Sequence, residues 1–116
     1  MEKKEKEVVL LEEFNTDTHP CSVQLLALPF DSQWECRYYS VGTYELDEGS
    51  STRRGEILTY SLSITSGHTM LIDSIQSDSG GVLDMKSSTT KDYILATATA
   101  EGSLDVYKYY HGPKVR

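Results

Sequence analysis

The chain has 116 residues, 38% of them hydrophobic and 25% charged, and a formal net charge of -7. That acidic balance disfavours sequence-independent nucleic-acid binding, which needs a basic footprint. No stretch approaches the roughly 18 apolar residues of a spanning helix, and Val8-Val9-Leu10-Leu11, behind a mixed Glu/Lys run, is shorter than the signal-peptide core of at least about seven residues. The expectation is a soluble, cytoplasmic protein without nucleic-acid or membrane partners. Cys21 and Cys36 lack Cys-x-x-Cys spacing and read as reduced, partly buried thiols.

In chain order the pattern predicts strands and no convincing helix. The Glu and Lys content of Glu5 to Phe14 fits a helix, but Val8 to Phe14, with β-branched residues at its start, reads equally as an extended N-terminal strand. Asn15 to Pro20 is turn chemistry. Cys21 to Leu28 follows as a strand, stopped by Pro29, which cannot donate to a ladder. Arg37 to Glu45 alternates, with Tyr39, Val41 and Thr43 on one face and Tyr38, Ser40, Gly42 and Tyr44 on the other. The polar connector Leu46 to Arg54 reads as a flexible surface excursion.

Gly55 to Leu62 and Thr69 to Gln76 supply two more strands around a Ser66-Gly67 turn. Ser77 to Gly81 crosses to a second group: Val82 to Lys86, Asp92 to Thr99 and Ser103 to Tyr109. A fourth strand is missing from that group, because Gly112-Pro113 breaks the tail. An unpaired edge would result, which proteins normally cover or blunt.

Two of these strands read almost alike. Gly55-Glu56-Ile57-Leu58-Thr59-Tyr60 recurs 47 residues on as Gly102-Ser103-Leu104-Asp105-Val106-Tyr107, within the roughly 40 to 50 residue period of β-propeller blades. The fold expected is therefore all-β: a partial WD-repeat β-propeller of about two blades of four-stranded antiparallel sheet. Residues 1–15 form an N-terminal segment and candidate ring-closing strand, 16–77 the first blade and 78–116 a second, incomplete blade. Since about three or more repeats are needed to bury a continuous core, the sequence reads as the start of a longer protein or a shortened gene product.

A family resemblance follows from Ser22-Val23-Gln24, Val41-Gly42-Thr43-Tyr44-Glu45-Leu46, Gly55 to Ser61, Val82-Leu83-Asp84-Met85-Lys86 and Ala100 to Leu104. In that order they resemble the N-terminal part of the WD-repeat diphthine methyl ester hydrolases. The likeness spans roughly Thr16 to Tyr107 and only the first two blades of the family's propeller. Tryptophan usually follows Asp-Met-Lys in the family; Ser87 stands there instead. The resemblance implies a part in diphthamide biosynthesis: removal of a methyl ester from the diphthine intermediate on elongation factor 2, the implied partner. It implies an ester hydrolase when the full propeller is present, with no cofactor and no metal. No catalytic motif of the family can be carried to numbered positions, so the catalytic residues are unknown. A non-catalytic WD-repeat interaction scaffold, or an inactive truncated product, is the alternative.

Local candidates have plainer readings. Asp78-Ser79-Gly80-Gly81 is like the nucleophile loop of chymotrypsin-like proteases, but Ser77 and Val82 break the match and no upstream Ala-Ala-His-Cys accompanies it. Ser79 therefore reads as part of an interblade turn whose glycines allow positive φ. No Gly-x-Ser-x-Gly elbow is present. Gly67-His68 is similar to the Gly-His pair of WD repeats but precedes an outer strand, ahead of its usual place. His19 and His111 adjoin turns and read as solvated. Asp47-Glu48 and Arg53-Arg54 face each other across the connector, which reads as a solvated loop.

Overall fold

The computed structural model describes residues 7–26, 36–88 and 93–109, and is all-β with no helix among them. Its strands are β1 (His19–Leu26), β2 (Cys36–Asp47), β3 (Thr52–Arg54), β4 (Glu56–Ser63), β5 (Thr69–Gln76), β6 (Val82–Ser87), β7 (Ile94–Thr99) and β8 (Leu104–Lys108). Two antiparallel sheets result: β1-β2-β4-β5, with β3 paired to the far end of β2, and β6-β7-β8. Leu28, Pro29, Asp92, the Gly112-Pro113 break and His111 lie outside the described residues.

The 47-residue repeat falls on equivalent strands, the third of each sheet. Gly42 pairs with Ile57 and Val41 with Leu58; Ala98 pairs with Leu104 and Thr97 with Asp105 in the same register. The match continues one strand further. Both sheets carry a register break between first and second strands at the same place, Pro20/Ser22 opposite Thr43 and Gly42, and Val82/Asp84 opposite Thr99 and Ala98. Bulges re-aim a strand and persist as designed features, so a shared one marks a repeated structural unit. A buried threonine sits beside each: the Thr43 hydroxyl accepts from the Glu56 N–H at 2.8 Å, and that of Thr99 from the Ser103 N–H at 3.2 Å.

Thr43→Val keeps the shape but leaves that N–H without its acceptor. Chemical denaturation should show a loss of about 1 to 3 kcal/mol, with a similar direction for Thr99→Val.

The main core lies between the sheets, where Leu26 and Ile57 meet Val82, Met85 and Leu95. Gly42 permits the approach: a Cβ there would stand 2.5 Å from Val82 Cγ1. Polar ties reinforce it. The Ser40, Thr59 and Tyr109 hydroxyls lie 3.0 to 3.2 Å from one another, and the Ser87 hydroxyl donates to the Leu25 carbonyl at 2.7 Å. A smaller cluster, Val41, Leu58 and Tyr60 with Tyr39, covers the opposite face of the first sheet. Both faces of β2 are thus shielded, which explains why Ser40 to Thr43 are all buried although their sequence alternates.

Two expectations are corrected. Val8 to Phe14 forms no strand; it runs as coil across the second face of the first sheet, Phe14 resting on Tyr60 with ring centroids 5.1 Å apart. Among the described residues no neighbouring strand offers it a ladder. The connector after Glu45 is not a loose excursion either: β3 pairs back on β2, Glu45 opposite Arg54 and Asp47 opposite Thr52. Residues 44–54 stand where the second sheet has only Ala100 and Glu101, closed by Gly102 at φ 87°. The hairpin is an insertion into a tight turn.

Candidate functional site

A cavity of about 550 Å³ opens between the N-terminal segment and the β4–β5 face, and Glu12, Phe14, Tyr60 and His68 are among its walls. Asp17 and Glu56 are shared with a second, polar cavity of about 240 Å³ next to Arg54. The groove is acidic at its rim and aromatic at its floor. Tyr60 stacks on Tyr39 with ring centroids 5.4 Å apart, and burial holds both phenols above their ordinary pKa.

Glu12 is the hinge pin of this arrangement. Its carboxylate accepts from the Thr69 hydroxyl and from the Thr69 N–H at 2.8 Å, and lies 3.0 Å from His68 Nδ1. Gly67, at φ 72°, makes the turn that presents both donors, and Leu11 packs over it. The Thr69 hydrogen bonds, chiefly, hold the Glu12 carboxyl below the usual carboxylate range. Glu56 also lines the groove and accepts from Thr18, Ser74 and Gln76.

A histidine held through Nδ1 by a carboxylate has the orientation of a general base. Ester cleavage also needs an activated nucleophile and donors for the developing oxyanion. Glu12, bonded to His68 and Thr69, clamps the N-terminal segment to the start of β5, a link invisible in the sequence because Glu12 and His68 are 56 residues apart.

Because the folded pKa of Glu12 is depressed, the folded chain binds its proton less readily than the unfolded one. The clamp's contribution is complete above the unfolded carboxylate pKa, about 4.3, and is lost as pH falls through the lowered folded value. Ring-proton NMR shifts of Phe14 and Tyr60 should report undocking in that acidic window. Glu12→Gln should abolish the transition.

The other sequence candidates scatter. Ser79 and Gly80, the latter at φ 81°, lie in the turn between sheets, outside the lining of the groove. Arg53 and Arg54 do not answer Asp47 and Glu48: Arg54 pairs with Glu45 at 2.5 Å, Arg53 donates to the Tyr44 hydroxyl at 3.1 Å, and Asp47 accepts from the Gly49 N–H. Cross-strand register decides this, since Arg54 lies opposite Glu45. His19 is exposed at the start of β1. Cys21 is exposed rather than partly buried, because it sits at the bulge of β1, while Cys36 is half-buried.

Among the described residues no group of three or more His, Cys, Asp or Glu side chains could hold a metal ion, and no helix is long and apolar enough to cross a membrane. No protein-family model matches the chain, and no curated protein matches it.

Proposed function

We propose that this chain is a two-blade unit of a WD-type β-propeller, related to the diphthine methyl ester hydrolases, and that it serves removal of the methyl ester from diphthine on elongation factor 2. The sense in which the sheets stack carries the propeller part. By the shared register, Tyr107 is the counterpart of Tyr60 and Leu95 of Tyr39. Leu95 and Tyr107 face the first sheet, whereas Tyr39 and Tyr60 lie on the face turned away from the second. Equivalent faces therefore point the same way round. A two-fold sandwich would bring like faces together; repetition by rotation, as between propeller blades, stacks unlike ones.

The N-terminal segment supports the same reading. It lies over β4 and β5 on the uncovered face of the first sheet, where the outer strand of a last blade would run. The hydrolase assignment rests on the sequence likeness, whose most specific parts contribute to packing: Gly42, Thr43 and Met85 are buried at or beside the inter-sheet contact. Ser87, in the tryptophan position, keeps a link between blades through Leu25.

Hydrolysis adds water across the ester, giving a carboxylate and methanol. The test is methanol release from elongation factor 2 carrying methylated diphthine, with the protein assembled into a complete ring. Release is expected. A folded, ring-forming protein that binds the factor without releasing methanol would move the assignment to a non-catalytic scaffold.

A further inference from the structure

We propose that copies of this chain associate head to tail, the outer face of the β6–β8 sheet in one copy docking on the Val23 and Tyr39 face of the first sheet in the next. The inference rests on the repeated-blade reading above, and the internal contact is its template. Ile57 is 0% exposed because the second sheet lies on it; its counterpart Leu104 is 70% exposed. Met85 is 3% exposed on the receiving side; its counterpart Val23, at the same place after the bulge, is 65% exposed. Among the described residues, apolar side chains stand exposed on both outer faces, Leu104 and Val106 beside Asp84, Lys86 and Lys108 on one and Val23 and Leu25 on the other.

The counterparts define the contact. Leu104, Val106 and Ile94 share the outer face of the second sheet, by pairing with Ala98, Ala96 and Lys108. On the receiving sheet, Val23 and Leu25 pair with Val41 and Tyr39. The described part of the N-terminal segment takes the Tyr60 side of that sheet through Phe14, while Val23 and Leu25 of β1 stay exposed. Contiguous exposed apolar patches of this kind mark interaction surfaces. A second copy is the occupant that fits, since it brings an outer face built to the same register and bulge as the one already seated inside each chain.

Because the two faces differ, the contact is heterologous, and repeated addition makes a ring where the rotation closes. Propellers close at about four to eight blades, so about two to four copies would suffice.

Sedimentation of the 116-residue chain should show mass rising with concentration. Leu104→Asp and Val23→Asp lie at exposed positions, so circular dichroism should show each folded like the parent, yet each alone should sediment as a monomer. Mixed in equal amounts they retain one competent interface and should form a one-to-one dimer and nothing larger. A parent that stays monomeric throughout, association that survives either substitution, or a mixture that remains monomeric would overturn the proposal. Loss of methanol release with stacking intact would count against the esterase assignment alone.

Discussion

Ile57→Ala should destabilise the chain by about 2 to 4 kcal/mol, the range for a large aliphatic residue truncated in a core that cannot collapse around the gap. Ile57 is fully buried between the sheets, against Leu26, Val82 and Leu95. Its neighbours are held by ladders on both sides, β2 and β5, so relaxation is limited. Such a loss is a large share of the roughly 5 to 15 kcal/mol that domains possess. Leu104→Ala, at the equivalent position of the repeat, should change stability by less than about 0.5 kcal/mol in the dilute monomer, as for other exposed sites. Urea titrations of both variants at low concentration decide it. Equal losses would mean that both sheets are covered on both faces in the monomer, contrary to the stacking described.

The pair shows what could and could not be read from the residues. Strand identity was legible, because alternation in Ile94 to Thr99 and in Leu104 to Lys108 reflects one more buried and one more exposed face. So was the repeat, since Ile57/Leu104 and Tyr60/Tyr107 preserve residue type at a fixed offset. The deeper equivalence was not: Pro20, Cys21 and Ser22 share little with Val82, Leu83 and Asp84, and only pairing reveals that both are bulged. The groove was equally hidden, because Glu12 lies in a segment whose β-branched start suggested a strand, whereas a strand needs a neighbour and this one has none among the described residues. At the connector, polarity pointed to a loop, but its charges fall on opposite sides of a hairpin in which Glu45 answers Arg54. Composition reports solvent exposure there and is silent about pairing.

Gly55→Ala should be the most damaging single-methyl change, costing about 3 kcal/mol or more, at or beyond the usual overpacking range. The repeat makes Gly55 and Gly102 look like the same turn glycine, but they are glycines for different physical reasons. A Cβ on Gly55 would overlap the Thr43 carbonyl oxygen and stand 2.8 Å from Gly81 Cα and 3.0 Å from Val82 N. All three are backbone atoms, so no side-chain rotation relieves the clash; either β2 and β4 part or the first sheet moves off the second. The same displacement would open the Thr43 hydrogen bond to Glu56 N. Gly102 meets nothing within 4 Å, yet holds φ at 87° in the tight turn before β8. Alanine there suffers the left-handed penalty of about 1 to 2 kcal/mol and no more. Thermal melts of the two variants should therefore separate clearly, with Gly55→Ala also exposing inter-sheet core to a hydrophobic dye and Gly102→Ala leaving that core closed. A Gly55→Ala chain as stable as Gly102→Ala would mean that the two sheets do not meet at Gly81 and Val82, and the stacking that underlies both the blade assignment and the head-to-tail assembly would fall with it.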